Sequence, residues 1–408
     1  MVYQNINIHP FLYEKIYYNF SSYPFMISGF IGCNQPKPKS EDFITVDVTA
    51  TYPKKELILQ DFMDVEYIPL ESTDSFITMA HVQDIGEDVI ILRNRNRSSD
   101  GNIFIFDKKG KGLRKINRQG AGGEEYTFLL KVILDEDNNE LFVNDHYVNK
   151  IFVYDQFGKF KRSFSHKEGG IYNPVYNFDE DNLICLDYAS DFDLKPKNRF
   201  FIISKEDGRI VKEIQIPFKD KKTTVLTLTD AAKGITISNS ARNEELIPYL
   251  GDWVLMDPSS DTIYKSEPDF SMTPIIVRTP SIESMIPEIF LFPGVFTDRY
   301  YFLQTVKKEY NFTTDIGFPR TDLVYDRQEK AIYEYTVLNA DLSTKKPVNM
   351  VYDIKLFNDD EIAFVQRLEA PDLVEANENG ELKGKLKEIA STLDEESNPV
   401  LMLARYKK

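Results

Sequence analysis

The sequence repeats a pair of adjacent hairpins at intervals of about 50 residues. Five segments align on an apolar strand, a short polar turn and a second strand, which is the sequence signal of a β-hairpin. They start at Ile103, Ile151, Phe200, Trp253 and Asp322. Asp107 and Asp155 hold the same place in the first two segments, 48 residues apart. A second series of six hairpins precedes these, starting near residues 82, 132, 178, 228, 292 and 352.

Two hairpins per period make a unit of four antiparallel strands, and there are six such units. Radial repetition of four-stranded sheets leaves only short, protected edges, which is the solution that propellers adopt. The repeat therefore predicts an all-β fold, a six-bladed β-propeller of four-stranded antiparallel blades.

The sixth unit lacks a strand. After its first hairpin only one further strand follows, PVLMLARYK from Pro399. Asp61–Glu71 stands alone before the first hairpin, so we expect it to join the C-terminal blade and close the ring, because an incomplete blade would expose an unpaired edge. Gly380–Leu393 has apolar residues at helical spacing and predicts a short helix. We assign residues 43–408 to the propeller and residues 1–42 to a leader and flexible tether.

Composition excludes several classes of protein. The chain has 49 Lys plus Arg and 65 Asp plus Glu, a formal charge of -16, which argues against a nucleic-acid partner. It contains no apolar stretch of about 18 residues that would span a membrane. Cys185 lies in the apolar strand LICLDY and is predicted to be a buried thiol. We expect a monomer with no cofactor.

The second unit carries a family resemblance. Gly120–Phe164 resembles an NHL repeat in its glycine-rich loop, its aspartate turn and its final strand with an Asp-x-x-Gly turn. The matching residues are Gly123, Glu124, Tyr126, Asp135, Asn144, Asp145, Asn149, Lys150, Ile151, Tyr154, Asp155 and Gly158. The resemblance supports a six-bladed propeller and implies no particular activity.

Cys33 ends the apolar run MISGFIGC and is followed by the polar stretch NQPKPKSED. This arrangement resembles the lipobox of bacterial lipoproteins, although Phe30 replaces the usual Leu. The whole pattern is similar to the six-bladed propeller lipoproteins of gut-dwelling Gram-negative bacteria. The resemblance implies lipidation of Cys33, a signal peptide before it, and a place in the cell envelope as a periplasmic or outer-membrane lipoprotein. Membrane contact would then occur only through the lipid anchor. The alternative is a disordered leader with a chance cysteine.

The connections differ strongly in length. Turns within hairpins are short, whereas the links between hairpins and between units are long, as in residues 94–102, 188–199, 240–252, 268–293 and 306–321. In a four-stranded meander the long links all emerge on one face, which we call the long-loop face, and the short turns form the opposite, short-turn face. Loops on a rigid scaffold are where binding residues concentrate.

The long-loop face predicts a ligand site. Its candidate residues are Arg93, Asn94, Asp145, His146, Asp187, Tyr188, Arg242, Gln304 and Arg367. Arginine, aromatic, amide and carboxylate side chains suit a polar, partly apolar ligand such as a glycan, a peptide or an envelope protein. The alternative for each residue is a solvated rim position or a bond to loop backbone.

Two functions remain open. The first is an envelope-tethered, non-catalytic binding propeller. The second is a hydrolase or lyase, similar to lactone-opening propellers, with a divalent metal in the central channel. That version needs several carboxylates and Asn side chains to converge from inner strands. The four histidines, His9, His81, His146 and His166, have no metal-binding spacing, and DEDNNE at Asp135 favours a hairpin turn over a calcium loop.

Overall fold

A computed structural model describes residues 43–94, 100–189, 198–232, 234–343, 346–352, 354–357 and 359–407. These residues belong to one compact unit, Asp42–Lys408. Cys33 lies outside them. Among the helices of the described residues, none has the length and apolarity needed to cross a membrane.

Three short strands and one helical turn precede the repeat. They are β1 (Ile44–Asp47), β2 (Lys54–Ile58), α1 (Leu59–Phe62) and β3 (Met63–Pro69). The first three repeats then follow in order. Blade 1 contains β4 (His81–Ile85), β5 (Val89–Arg93), β6 (Asn102–Asp107) and β7 (Gly112–Asn117). Blade 2 contains β8 (Lys131–Asp135), β9 (Glu140–Asp145), β10 (Lys150–Asp155) and β11 (Phe160–Ser165). Blade 3 contains β12 (Tyr172–Asn177), β13 (Asn182–Asp187), β14 (Phe200–Ser204) and β15 (Ile210–Ile214).

The second half contains insertions. A separate ribbon of β16 (Val225–Asp230) and β17 (Ile235–Ser240) precedes blade 4, which contains β18 (Leu246–Tyr249), β19 (Asp252–Leu255), β20 (Thr262–Ser266) and β21 (Met272–Thr279). A 3₁₀ helix at Ile282–Ser284 leads to blade 5, made of β22 (Ile289–Phe296), β23 (Tyr300–Lys307), β26 (Arg320–Asp326) and β27 (Ala331–Leu338). A small hairpin, β24 (Tyr310–Asn311) and β25 (Ile316–Gly317), interrupts that blade, and β28 (Pro347–Val348) pairs with β27. Blade 6 contains β29 (Lys355–Leu356), β30 (Ile362–Leu368) and β31 (Val400–Tyr406), with α2 (Ala370–Glu378) and α3 (Gly384–Ala390) between the last two strands.

The fold prediction is confirmed: six antiparallel four-stranded sheets are arranged in a ring. The first strands of neighbouring blades contact one another, as β4 does β8, β8 does β12, and β18 does β22. The first strand of each blade is therefore the innermost one and the fourth strand lies outermost.

The N-terminal strands run along the outer edges of three successive blades. β1 pairs in parallel with β21 of blade 4, and β2 pairs in parallel with β27 of blade 5. β3 pairs antiparallel with β31 as the fourth strand of blade 6, from Met63 opposite Tyr406 to Pro69 opposite Val400. Before the repeat, the sequence predicts a strand at Asp61–Glu71 only. β1 and β2 were not predicted, because they lie outside the repeat.

In blade 4 the two predicted hairpins do not match the observed ones. The segment near residue 228 was predicted to open this blade, but it forms the β16–β17 ribbon, which pairs with no blade. The true first hairpin is β18–β19, joined by a two-residue turn in which Leu250 and Gly251 have positive φ. The predicted hairpin from Trp253 consequently joins the second and third strands of the blade. A short helix was expected at Gly380–Leu393; α3 occupies its middle, and α2 was not predicted.

The repeated Asp-x-x-Gly turns have a common geometry. Asp155 Oδ1 accepts hydrogen bonds of 2.9 Å from the backbone N–H groups of Phe157 and Lys159. Gly158 follows with φ of 81°, a conformation that side chains disfavour. Asp107 and Gly110 repeat this arrangement in blade 1. The residues 135–140 likewise form the tight turn between β8 and β9, as predicted.

The core consists of apolar layers between adjacent blades. Alternate residues of a strand point to opposite faces of its sheet. In β8, Val132 packs with Ile91 of blade 1, whereas Ile133 packs with Val175 of blade 3. Both faces of a blade are buried in this way, which is why its strands are almost continuously apolar in sequence.

Candidate functional site

Links from second to third strands and from blade to blade emerge on the long-loop face, as the meander requires. The turns that join first to second and third to fourth strands have at most five residues. The link at 306–321 is confirmed and carries the β24–β25 hairpin. The predicted links at 240–252 and 268–293 are partly wrong, because each contains a blade strand and a short turn. Residues 95–99 and 190–197, in two further links, lie outside the described residues.

Asp145, at the end of β9, is fully buried. Its Oδ2 accepts hydrogen bonds from the N–H groups of Thr127 and Phe128 and from the Thr127 hydroxyl, at 2.6 to 2.9 Å. Its Oδ1 accepts a further bond of 2.9 Å from the N–H of Tyr147. Both oxygens therefore hold loop backbone in place, and we count Asp145 as a support of the face.

Gln304 and Asn94 have the same kind of role. Gln304 is fully buried; its Oε1 accepts from Asn243 and Arg320, at 2.7 and 2.5 Å, and its Nε2 donates to Asp322 at 2.6 Å. Asn94 Oδ1 accepts from the Met79 N–H at 2.7 Å. These amides lock the links together and present little to a ligand.

Asp187 and Arg367 make ion pairs on this face. Asp187 is buried and lies 2.7 Å from Lys167 Nζ, and its Oδ1 accepts from the Ile171 N–H at 3.0 Å. Arg367 Nε lies 2.7 Å from Glu369 Oε1, and Arg367 also donates to the Met79 carbonyl at 2.8 Å and contacts His81 Nε2 at 2.9 Å. Arg93, on the neighbouring blade, donates to the Asn94 carbonyl at 3.2 Å.

His146 belongs to an aromatic cluster with Phe128 and Tyr147. The His146 ring centroid lies 5.0 Å from that of Phe128 and 4.4 Å from that of Tyr147. Burial lowers the pKa of His146, and its Nδ1 has no hydrogen-bond partner among the described residues. Tyr147 remains 67% exposed, so the cluster offers an aromatic surface to solvent.

Tyr188 and Arg242 form a stacked pair. The Arg242 guanidinium carbon lies 3.6 Å from the Tyr188 ring centroid. The two residues come from different links, one within blade 3 and one between blades 3 and 4. A cation stacked on an aromatic ring at this distance is stabilising and fixes both side chains. The structure thus brings together two residues that the sequence could only place on one face.

Exposed apolar side chains are concentrated on the long-loop face, a feature that the sequence analysis did not identify. Fifteen large apolar side chains are exposed among the described residues; eight of them lie in the long links or the β16–β17 ribbon, and two more in the four-residue β9–β10 turn on the same face. The ten are Ile77, Met79, Tyr147, Val148, Leu228, Ile235, Ile237, Ile286, Ile316 and Tyr352. Exposed apolar surface marks an interaction site where such side chains lie side by side, as those of Leu228 and Ile237 do in the ribbon. Hydropathy could have indicated these residues only after the links had been separated from the strands.

The central channel is lined by the innermost strands. Asp84 of β4, Lys131 of β8, Tyr176 of β12 and Lys355 of β29 meet there. Lys131 Nζ and Lys355 Nζ lie 5.7 and 4.8 Å from the Tyr176 ring centroid. Burial, together with the neighbouring Lys355 ammonium, lowers the pKa of Lys131 well below its usual range.

These channel residues do not fit a divalent metal. Two ammonium groups accompany the Asp84 carboxylate, whose oxygens accept backbone hydrogen bonds from Ile85 and Leu134. No group of three or more His, Cys, Asp or Glu side chains suited to a metal ion occurs in the described ranges.

The profile of DUF5128, described as a 6-bladed beta-propeller, matches residues 35–363. The chain belongs to this family. A search of curated proteins finds no match to the sequence.

Comparison with solved structures finds one protein with the same fold and others with weaker similarity. A "putative exported protein" of Bacteroides fragilis superposes on this DUF5128 propeller with a TM-score of 0.56 at 16% identity, over 90% of this chain and 100% of the other. A member of the DUF4221 family from Bacteroides vulgatus gives a TM-score of 0.45 at 11% identity, over 85% and 97%. Virginiamycin B lyase from Staphylococcus aureus gives 0.36 at 9% identity, over 85% and 100%. At 16% identity the likeness to the first of these proteins concerns the fold alone.

Proposed function

We propose that this DUF5128 propeller is a non-catalytic binding protein of the bacterial envelope that captures a glycan or peptide on its long-loop face. The observation that carries the proposal is the concentration of exposed apolar and aromatic side chains on that face. Tyr147 and Tyr352 supply rings, and their backbone N–H groups are held by Asp145 Oδ1 and Asn349 Oδ1. Rigid support of this kind lowers the entropy that binding must overcome.

A binding array of envelope glycans and peptides tests the proposal with matched variants. Tyr147→Ala, Ile286→Ser and Tyr352→Ala remove side chains that are 67%, 99% and 45% exposed on the long-loop face. We expect each to weaken binding, and the aromatic changes to do so by about tenfold, because aromatic anchors dominate interface energies. Phe157→Ala is the control, since Phe157 is 74% exposed in a turn of the short-turn face. Absence of any captured ligand, or an equal loss in the control, would contradict the proposal.

Attachment to the envelope through Cys33 is a separate part of the proposal. Its support is the lipobox-like segment and the likeness of the fold to a protein described as exported. Cells fed labelled palmitate should incorporate the label into the wild-type chain and not into a Cys33→Ala variant. Equal labelling of both chains would remove the anchor from the proposal and leave the binding face untouched.

A further inference from the structure

The outermost strand of blade 3, β15, has an open edge. Among the described residues it pairs with β14 and with no other strand. Alternate N–H and C=O groups along its outer side therefore point away from the blade. Its four residues Ile210–Glu213 are all exposed, whereas the described residues of β7 and β11 include no two consecutive exposed ones. An exposed strand edge is a template on which another extended chain can pair.

Blades 4 and 5 show what an outer edge of this molecule accepts. β1 pairs in parallel with β21, and β2 pairs in parallel with β27. These added strands have only four and five residues, and they come from outside the repeat. β15, β21 and β27 are each the fourth strand of a blade, so their outer edges are equivalent. A short extended segment is therefore the kind of chain that fits beside β15.

A cavity of 710 Å³ lies next to β15, within the range of about 300–1,000 Å³ that is usual for ligand sites. Its lining includes Phe201 of β14, Glu213 of β15 and the residues 215–219 that follow β15. Phe201 and Glu213 lie opposite each other in the β14–β15 register, so they share one face of the sheet. A strand added to β15 would direct every second side chain to that face. The cavity thus lies where side chains of the added strand would point.

The lining of the cavity is polar but carries no unbalanced charge. Each charged side chain in it has a partner: Lys167 with Asp187 at 2.7 Å, Glu213 with Asn198 at 2.6 Å, and Lys219 with Glu283 at 3.2 Å. The buried ring of Phe201 and the half-buried ring of Phe218 supply apolar surface. An uncharged side chain with an apolar body and a polar tip, such as that of tyrosine, suits this combination.

We propose that β15 and the adjoining cavity bind an extended peptide segment of another protein. The segment adds to blade 3 as a parallel fifth strand, and one of its large, uncharged aromatic side chains enters the cavity. Hydrogen bonds to the β15 backbone supply affinity, and the cavity selects the sequence. This site lies on the flank of blade 3 and goes beyond the proposed function, which concerns the long-loop face.

A displayed library of random peptides, selected on the whole described propeller, supplies the probe. We expect the enriched peptides to share one aromatic position, and a synthetic copy of one of them is titrated by calorimetry. Only one edge of the added strand pairs with β15, so N-methylation of alternate residues on that edge should weaken binding at least about tenfold for each lost hydrogen bond. N-methylation of the other alternate set should leave the affinity unchanged.

Variants of the protein locate the peptide. Phe218→Ala should weaken binding by about tenfold, because it removes apolar surface from the cavity. Val211→Ser should weaken it by about threefold through loss of a cross-strand contact. Leu113→Ser is the matched control, since Leu113 of β7 and Val211 of β15 are both 49% exposed on the outermost strand of a blade. The control should bind the peptide as the wild type does.

Several outcomes would overturn the site on blade 3. These are a library without enriched peptides, equal effects of the two N-methylated sets, or full affinity in both Phe218→Ala and Val211→Ser. Loss of the peptide in Tyr147→Ala would assign it to the long-loop face, against this inference and in favour of the proposed function. Sedimentation that reveals a dimer sensitive to Val211→Ser would make a second copy of the chain the occupant of the edge and would overturn the partner peptide.

Discussion

Asp326, at the end of β26, joins the N-terminal segment to blade 5. Its side chain is fully buried, with Lys55 Nζ of β2 at 2.9 Å and Arg299 Nη2 at 3.0 Å. Its Oδ1 also accepts from the N–H of Gln328 at 3.0 Å. Burial alone would raise the pKa of this carboxyl, but the hydrogen bonds from Arg299, Lys55 and the turn hold it at about 2.

A pH dependence follows from this arrangement. The pKa in the folded state is below the ordinary value of 3.8, so the stabilisation is fully present above that value and is lost as the pH falls through about 2. Asp326→Asn should lower the free energy of unfolding at pH 6 by about 1 to 2 kcal/mol, with the partial exposure of Lys55 and Arg299 reducing the effect.

Urea denaturation between pH 2 and pH 6 measures this difference. The gap between wild type and Asp326→Asn should narrow as the pH falls from 4 toward 2. Asp372→Asn, at a 62% exposed side chain of α2, is the matched control and should show no such narrowing. A constant gap for Asp326→Asn across this range would contradict the assignment.

At the scale of elements, the segment from β1 to β3 acts as a strap around half of the ring. Its three strands pair with β21, β27 and β31, and Leu57 and Tyr67 contribute to the largest apolar cluster. The strap leaves the ring through an exposed stretch at residues 71–75, just before β4. Backbone pairing and side-chain burial therefore hold it independently of that covalent link.

A protease site inserted between Thr73 and Asp74 tests this independence. After cleavage, the strap should remain bound and co-elute with the rest of the chain on size exclusion, because about 16 paired residues must separate at once. Urea should release it only as the whole protein unfolds. A matched site inserted between Ala231 and Ala232, just after β16 of the ribbon, controls for the effect of nicking. Release of the strap in native buffer would show that the three pairings are weak.

At the scale of the whole molecule, the strands that belong to the repeat could be predicted from the sequence, whereas strands outside it, such as β1 and β2, could not. The period located five of the six first hairpins, since strands such as β5 and β9 are buried on both faces and stand out as apolar runs. The β16–β17 ribbon misled the assignment because its alternation of Thr with Leu or Ile is that of a strand with one buried face. In the structure its apolar side, with Leu228 and Ile237, is exposed.

The candidate site was predicted less completely, for a physical reason. The sequence predicts Asp145 and Gln304 at the ends of second strands. Whether their side chains are buried depends on links that are distant in sequence. Gln304 accepts from Asn243, 61 residues away. The channel cluster joins residues of four blades, from Asp84 to Lys355, and no local pattern records such a meeting.

Cys185 provides a test of cooperativity for the entire ring. It is fully buried in β13, and burial raises the pKa of its thiol well above the usual range. In a Cys33→Ser background, a thiol reagent should react with Cys185 only when blade 3 opens. Because each blade buries both faces against its neighbours, we expect the urea dependence of labelling to coincide with loss of circular dichroism. Labelling at much lower urea would show that blade 3 opens alone, and Cys185→Ala confirms that the signal comes from this thiol.

The parallel pairing of β1 has a mechanical consequence. β1 runs in the same direction as β21, from Ile44 opposite Ile276 to Asp47 opposite Thr279. Tension applied to the chain before Phe43 acts along the strand, so its cross-strand hydrogen bonds are sheared together and do not open one at a time. Behind β1, the pairing of β2 with β27 has the same direction and would be loaded in the same way. If the propeller is held through the chain before Phe43, a force along that chain must therefore break all hydrogen bonds of a pairing together, and the fold resists unfolding by such a force.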